Sequence, residues 1–335
     1  MSEMSNAITA IINPVIAGPK PVQEPTSFEA NGSDKDSEEN GDTRDTLLFE
    51  LGEKNQLILS YIPLEENNKS VMYNDNGTID GNATRPNALT SVYVKGIVNV
   101  FGLTEIPTPA PNGAARRRFN ITRLSPIHNP VVAKNQLYTH YGALASASDG
   151  ETVWLYYLQG ETEGEAPTVM QAALKRGVAP TLNTLGIKVV SNSKLAALYD
   201  AETNTRSVIM QCENESEDLF IRVATIDAND KTSSVDISGT SNALKGTPLA
   251  ATSIGYGPSR VNYLYLVDTT RHLHRSTQTG KGNWANPKLV EKTNEQKMMK
   301  DSQLAVVADE THNHVFYIEH QNPQNGYQNH RDDRK

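Results

Sequence analysis

The apolar positions of this chain fall in short runs with no long period. Four of them are "VWLYYL" (153–158), "SVIMQ" (207–211), "NYLYL" (262–266) and "HVFYI" (314–318). Each is aromatic or β-branched and is bounded by Gly, Asp, Asn and Thr, which is how a strand between turns reads. No stretch keeps a 3.6-residue period over three turns, so little helix is expected. Ahead of each run stands a leucine that follows small or polar residues, in "NQLYTHYGA", "SKLAALYDA", "TPLAATSIG" and "SQLAVVADE". These leucines are Leu137, Leu195, Leu249 and Leu304, at steps of 58, 54 and 55 residues. Third runs follow after polar turns: "TVMQAAL", "LFIRVATI" and "HLHRST".

A unit of about 50 residues with three or four short strands is the pattern of a β-propeller blade, which buries its faces only against neighbouring blades. The fold class expected is therefore all-β, a single propeller. Counting a degenerate unit at "TSVYVKGIVNVFGL" and "RRRFNITRL" gives five blades, or six if "SVMYNDNGTID" belongs to another. The hairpin "TLLFELGEKNQLILSYI" precedes the first anchor, and the last anchor has about two strands after it. N- and C-terminal strands are thus expected to share one blade and close the ring without free edges. Residues 1–44 read as a disordered acidic arm, because "NGSDKDSEENGDTRD" has six acids, two bases and no apolar residue. The propeller is expected over 45–320, with 321–335 a polar tail.

The net charge of −8 and the absence of a basic stripe argue against a nucleic-acid partner. Arg116-Arg117-Arg118 is the one basic cluster and reads as a solvated loop. No apolar run approaches the length a bilayer needs, so no membrane span is expected. The apolar "AITAIINPVIAG" lacks a basic flank and is broken by Pro14, which makes it a poor leader. A single cysteine, Cys212, excludes internal disulfides and fits a reducing compartment, so a cytoplasmic location is expected unless a leader has been removed. It reads as a core or strand-end residue, with no histidine near it in sequence.

For chemistry, His272-Leu273-His274 and His312-Asn313-His314 each put two imidazoles on one strand face. No carboxylate or cysteine stands at obvious ligand spacing, and the pairs occupy different strand positions of successive units. Hydrogen-bonded histidines and no metal are therefore expected. There is no Gly-x-Ser-x-Gly elbow, and "TGKGNW" lacks the rest of a phosphate loop.

Over about residues 130–320, the unit "S-x-L-A-A … V-x-Y … turn … polar strand" resembles the fungal fucose-specific lectins, a family of six-bladed propellers. In that family the second strand reads roughly Arg-Val-Tyr-Tyr-Gln and the third Ile-Arg-Glu. Arg, Glu and a Trp hold the sugar between blades. Carried onto this chain, the Arg position falls on Trp154, Ser207, Tyr263 and His314, and the Glu position near Ala172, Val223 and Arg275. Only two tryptophans exist, Trp154 and Trp284. The scaffold is kept and most sugar forks are lost.

In size, repeat character and degenerate lectin strands the chain is also similar to the fungal hetero-Diels–Alderases of tropolone sesquiterpenoid biosynthesis. That resemblance implies a cofactor-free pericyclase. A tropolone or phenol polyketide loses water to give a quinone methide, which adds to a humulene-type terpene alkene. Positioning in an aromatic pocket supplies much of the rate. On this reading Trp154, Tyr263, His274 and Arg222 bind substrate, and His314 and Arg275 are catalytic, bonding the polyketide oxygens. The plainer reading makes the aromatics blade packing and Arg275 a partner of a surface carboxylate. A fucose-type lectin with degenerate sites and a propeller used as an interaction platform are the alternative functions.

Overall fold

The computed structural model describes residues 7–12, 45–51, 56–63, 71–74, 83, 88–105, 118–127, 129–131, 138–160, 166–290, 297–299, 302–323 and 326–334. Their strands form six antiparallel sheets, each from a consecutive stretch of chain. Sheet 1 holds β1 (Ile8–Ile12), β2 (Asp45–Leu51), β3 (Leu57–Pro63) and β4 (Val71–Asn74). Sheet 2 holds β5 (Leu89–Val94), β6 (Ile97–Glu105), β7 (Phe119–Ser125) and β8 (Asn129–Pro130), with β9 (Tyr138–Thr139) paired to β7. Sheet 3 holds β10 (Leu144–Ser148), β11 (Thr152–Gln159), β12 (Thr168–Lys175) and β13 (Thr181–Lys188). Sheet 4 holds β14 (Leu195–Asp200), β15 (Thr205–Glu213), β16 (Leu219–Ile226) and β17 (Thr232–Ile237). Sheet 5 holds β18 (Ala250–Ile254), β19 (Val261–Val267), β20 (Leu273–Thr279) and β21 (Lys288–Leu289). Sheet 6 holds β22 (Ala305–Ala308), β23 (His312–Ile318) and β24 (Tyr327–Asp333).

The first strands β1, β5, β10, β14, β18 and β22 touch in that order, and β22 returns to β1. Together they line a cavity of about 190 Å³ with small and hydroxyl side chains such as Ala145, Ala196, Thr9, Thr90 and Ser146. The ring therefore closes by side-chain contact. Among the described residues no sheet mixes strands from the two chain ends, contrary to the expected shared blade. The arm and tail are corrected too: Ile8–Ile12 and Tyr327–Asp333 are strands of sheets 1 and 6. Residues 13–44 and Lys335 lie outside the described residues. No helix among the described residues is long and apolar enough to cross a membrane.

Six apolar clusters hold the sheets together, and each straddles two neighbours. On β11, Val153, Leu155 and Tyr157 pack toward sheet 2, while Trp154, Tyr156 and Leu158 pack toward sheet 4. A strand buried on both faces has no polar face to alternate with, and this is why "VWLYYL" reads as a continuous run.

The polar residue two positions before each anchor leucine also has a physical task. The Ser193, Thr247 and Ser302 hydroxyls accept from the backbone N–H of Gln211, Val267 and Ile318 at 2.8–2.9 Å. These buried bonds pin the end of each second strand to the start of its sheet. In sheet 3 the anchor is Leu144; the expected Leu137 lies outside the described residues. Cys212 is buried, as a core residue should be, and burial pushes its thiol up to about 11.

Candidate functional site

On every second strand one residue pairs with the position three beyond the first-strand anchor and projects toward the next sheet. The registers are Ile11↔Leu47, Val92↔Asn99, Ala147↔Trp154, Leu198↔Ser207, Thr252↔Tyr263 and Val307↔His314. The column inferred from sequence is thus one structural position in sheets 3 to 6, and it extends to Asn99 and Leu47.

In most gaps this position is filled. Trp154 is buried and stacks on Tyr199 of sheet 4 at 5.6 Å, with the Arg206 guanidinium 4.7 Å from its ring. Asp230 pairs with that guanidinium. Between sheets 4 and 5, Arg260 donates across the gap to Asp200 and to the Tyr199 carbonyl, both at 2.8 Å. Between sheets 5 and 6, Tyr263 is buried under Arg275, whose guanidinium lies 5.9 Å from the ring. Arg275 Nη1 donates to Asp332 Oδ2 at 2.8 Å and to the Asp333 carbonyl at 2.9 Å. Asp332 also accepts from the Tyr265 hydroxyl, which in turn accepts from Asn313 Nδ2 at 2.7 Å.

The histidines brace turns. His314 is fully buried, with Nε2 2.8 Å from Asp309 Oδ2 and Nδ1 accepting from Asn329 Nδ2 at 3.1 Å. Burial lowers the His314 pKa, against the pull of Asp309. Burial works to raise that of Asp309, but the hydrogen bonds from His314 and from the His312 and Thr311 amides outweigh it. The Asp309 carboxyl therefore lies well below the usual range. His274 Nε2 lies 3.1 Å from Asp268 Oδ2, and Asp268 also accepts from the Thr270 and His272 amides. Arg222 forks onto Asp236 of the outer strand at 2.6 and 3.1 Å.

The six residues singled out by sequence therefore spread over sheets 3 to 6. Tyr263 and Arg275 meet, but the set forms no shared pocket, and none of its members lines the open groove described next.

That groove lies between sheets 2 and 3, where the column residue is Asn99. It encloses about 580 Å³, within the roughly 300–1,000 Å³ of small-ligand sites. Phe101, Val131, Val153 and Leu174 form its inner wall. Ile97, Ile127 and Val178 stand at the mouth, 49%, 66% and 59% exposed, an unusual grouping of uncovered aliphatic side chains. Lys95, Arg123, Glu151, Lys175 and Arg176 add charge, with Lys95 Nζ 3.0 Å from Glu151 Oε2. Arg123 Nε donates to the Ile127 carbonyl at 3.3 Å, holding its guanidinium beside the mouth.

Three local features accompany the open space. Asn99 is short and its amide turns back to the Ile97 carbonyl at 3.2 Å. The strand β8 has only two residues, and the register of β6 on β7 slips between Val100 and Phe101. In the sequence this unit counts as a degenerate blade. The column position gave no signal by itself, since Ser207 of sheet 4 is also short and its gap is filled by Arg260.

No protein-family model matches the chain. It is 27% identical to a wall-associated proteinase of Coccidioides posadasii over 282 residues, covering 81% of this chain and 86% of that protein. Its structure is similar to the fucose-recognising lectin of Aleuria aurantia, a six-bladed β-propeller. The two share 14% identity at a TM-score of 0.62, over 96% of this chain and 91% of the lectin. A lectin of Burkholderia pseudomallei aligns at a TM-score of 0.57 with 14% identity, over 82% and 75% of the two chains. The fold is that of lectin-like β-propellers.

Proposed function

We propose that the chain is a saccharide-binding, six-bladed propeller whose ligand sits between sheets 2 and 3. The observation that carries this reading is the open groove of about 580 Å³ at a position that its neighbours fill with Trp154, Tyr263 or His314. A sugar needs an apolar surface for its C–H face and a fixed polar fork for its hydroxyls. Ile127 and Val178 offer the first, and Arg123 and Glu151 the second. The fold likeness to a fucose-recognising lectin supports the same reading, as does the wall association in the relative's name. Proteinase chemistry gains no support from the His314–Asp309 pair, because both ring nitrogens of His314 are already engaged.

The groove's volume and largely aliphatic wall also favour a second reading, the hetero-Diels–Alder cycloaddition of a quinone methide with a humulene-type alkene. Arg123 and Glu151 would then bond the polyketide oxygens, since His314 and Arg275 are held by Asp309 and Asp332.

A glycan array probed with the wild-type chain and with Val178→Asp tests the proposal. The expected result is binding by the wild type and its loss in the variant, whose carboxylate blocks the mouth from an exposed turn. Equal binding by both proteins would move the site elsewhere. Silence on the array together with turnover of a tropolone–humulene mixture would replace the saccharide reading with the second one.

A further inference from the structure

The groove between sheets 2 and 3 carries a charge opposite to that of the protein around it. Among the described residues four cationic side chains line it, Lys95, Arg123, Lys175 and Arg176, against one carboxylate, that of Glu151. Four minus one leaves three positive charges in a chain whose net charge is −8. Lys95 is spoken for by Glu151 at 3.0 Å. Arg123 is held at the mouth by its bond to the Ile127 carbonyl, with no carboxylate on its guanidinium among the described residues. Lys175 and Arg176 are exposed, and neither side chain has a partner among the described residues. Elsewhere between the sheets the arginines are neutralised: Arg206 by Asp230, Arg260 by Asp200, and Arg275 by Asp332. Unpaired cations around a concave, partly apolar surface concentrate anions there.

We propose that the groove selects an acidic saccharide, one bearing a carboxylate or sulfate, over a neutral sugar. Arg123, Lys175 and Arg176 receive the anionic group, and Ile127 and Val178 receive the C–H face of the ring. This rests on the saccharide reading and narrows it to a charge class. Each exposed cation is worth up to about fivefold in affinity, so Lys175 and Arg176 together account for up to about 25-fold. Because the groove is open to solvent, the preference weakens as salt shortens the screening length to about 10 Å at 0.1 M.

The test is titration calorimetry of the full chain with a galacturonic acid trisaccharide, its methyl ester and a sulfated trisaccharide at low and moderate salt. The free acid should bind about tenfold more tightly than the ester, and the gap should shrink with salt. Lys175→Gln with Arg176→Gln should remove most of the gap, while Arg176→Lys should keep it. Both positions are exposed, so the fold tolerates the changes. Preference for the sulfated ligand alone still supports an anion site and assigns it to sulfate. Equal binding of acid and ester overturns the charge inference and leaves the saccharide reading standing. No binding of any of the three, with neutral glycans bound on the array, overturns it likewise. A silent array removes the saccharide reading itself.

Discussion

Asp332 is the residue through which the C-terminal strand β24 joins sheet 6 to sheet 5, and replacing it by alanine separates a structural role from a catalytic one. Its carboxylate is 9% exposed and takes the Arg275 guanidinium, itself 19% exposed, at 2.8 Å. It also accepts from the fully buried Tyr265 hydroxyl. Asp332→Ala leaves Arg275 without its counter-ion and removes one partner of Tyr265. Breaking a buried pair from one side costs roughly 3–5 kcal/mol, because the remaining charge stays desolvated. The one-fifth exposure of Arg275 and its second bond, to the Asp333 carbonyl, pull the expected value to the lower end, about 3 kcal/mol. Arg275→Met should cost less, since Asp332 keeps Tyr265 and gains water. The double variant should cost clearly less than the sum, with a coupling of about 1–3 kcal/mol. Urea unfolding followed by the fluorescence of Trp154 and Trp284 measures all three. A loss below about 1 kcal/mol for Asp332→Ala, or strict additivity in the cycle, would show that Arg275 is not held by this network. Arg275 would then be free for the catalytic role assigned from sequence.

Two further outcomes are expected. Thr247→Val removes the hydroxyl that the buried Val267 N–H donates to at 2.8 Å, and this should cost about 1–3 kcal/mol in urea unfolding; Thr247→Ser should retain most of the stability. His330 stacks on Tyr317 at 3.9 Å, and burial pushes its pKa down from 6.5 to about 4, since Glu319 at 3.6 Å is too far to hydrogen-bond. Between those two pH values the unfolded chain binds the proton and the folded chain does not, so stability should fall as pH drops from about 6.5 to about 4. His330→Phe, which keeps the stack, should flatten that part of the denaturation curve.

The second strands were legible because burial on both faces writes them as continuous apolar runs. The column of Trp154, Ser207, Tyr263 and His314 was legible because each lies at a fixed register from its anchor. In sheet 3 the anchor was misread: "NQL" imitates the polar-then-Leu signature, whereas Leu144 follows Gly142 and Ala143. There Thr139 supplies a hydroxyl from β9 instead, donating to the Leu158 carbonyl at 2.6 Å. The strand β24 was invisible as "YQNHRDD" because it is buried by ion pairs and hydrogen bonds rather than by apolar surface. The strand β1 was invisible for another reason: β2, its partner, begins 33 residues beyond its end, well outside the spacing at which the other first and second strands follow each other. Site residues were hardest to see. Histidines and arginines in a repeat advertise chemistry, but here they brace turns and cross-strand forks, whereas the groove arises where side chains are short and a strand is cut to two residues.

The ring has a seam. Every other junction between neighbouring sheets is bridged by the chain passing from one to the next, whereas among the described residues sheets 6 and 1 meet through side chains, chiefly Ile8, Leu48, Ala305, Val307, Phe316 and those packed on them. No backbone ladder crosses that line among the described residues. Opening it would expose apolar surface and break no strand pairing among the described residues, whereas opening any other junction would also strain the chain that connects its two sheets. The groove between sheets 2 and 3 lies two junctions from the seam through sheets 1 and 2 and four the other way round, so the first sheet, tied by the chain on one side only, is the shorter structural route between seam and groove.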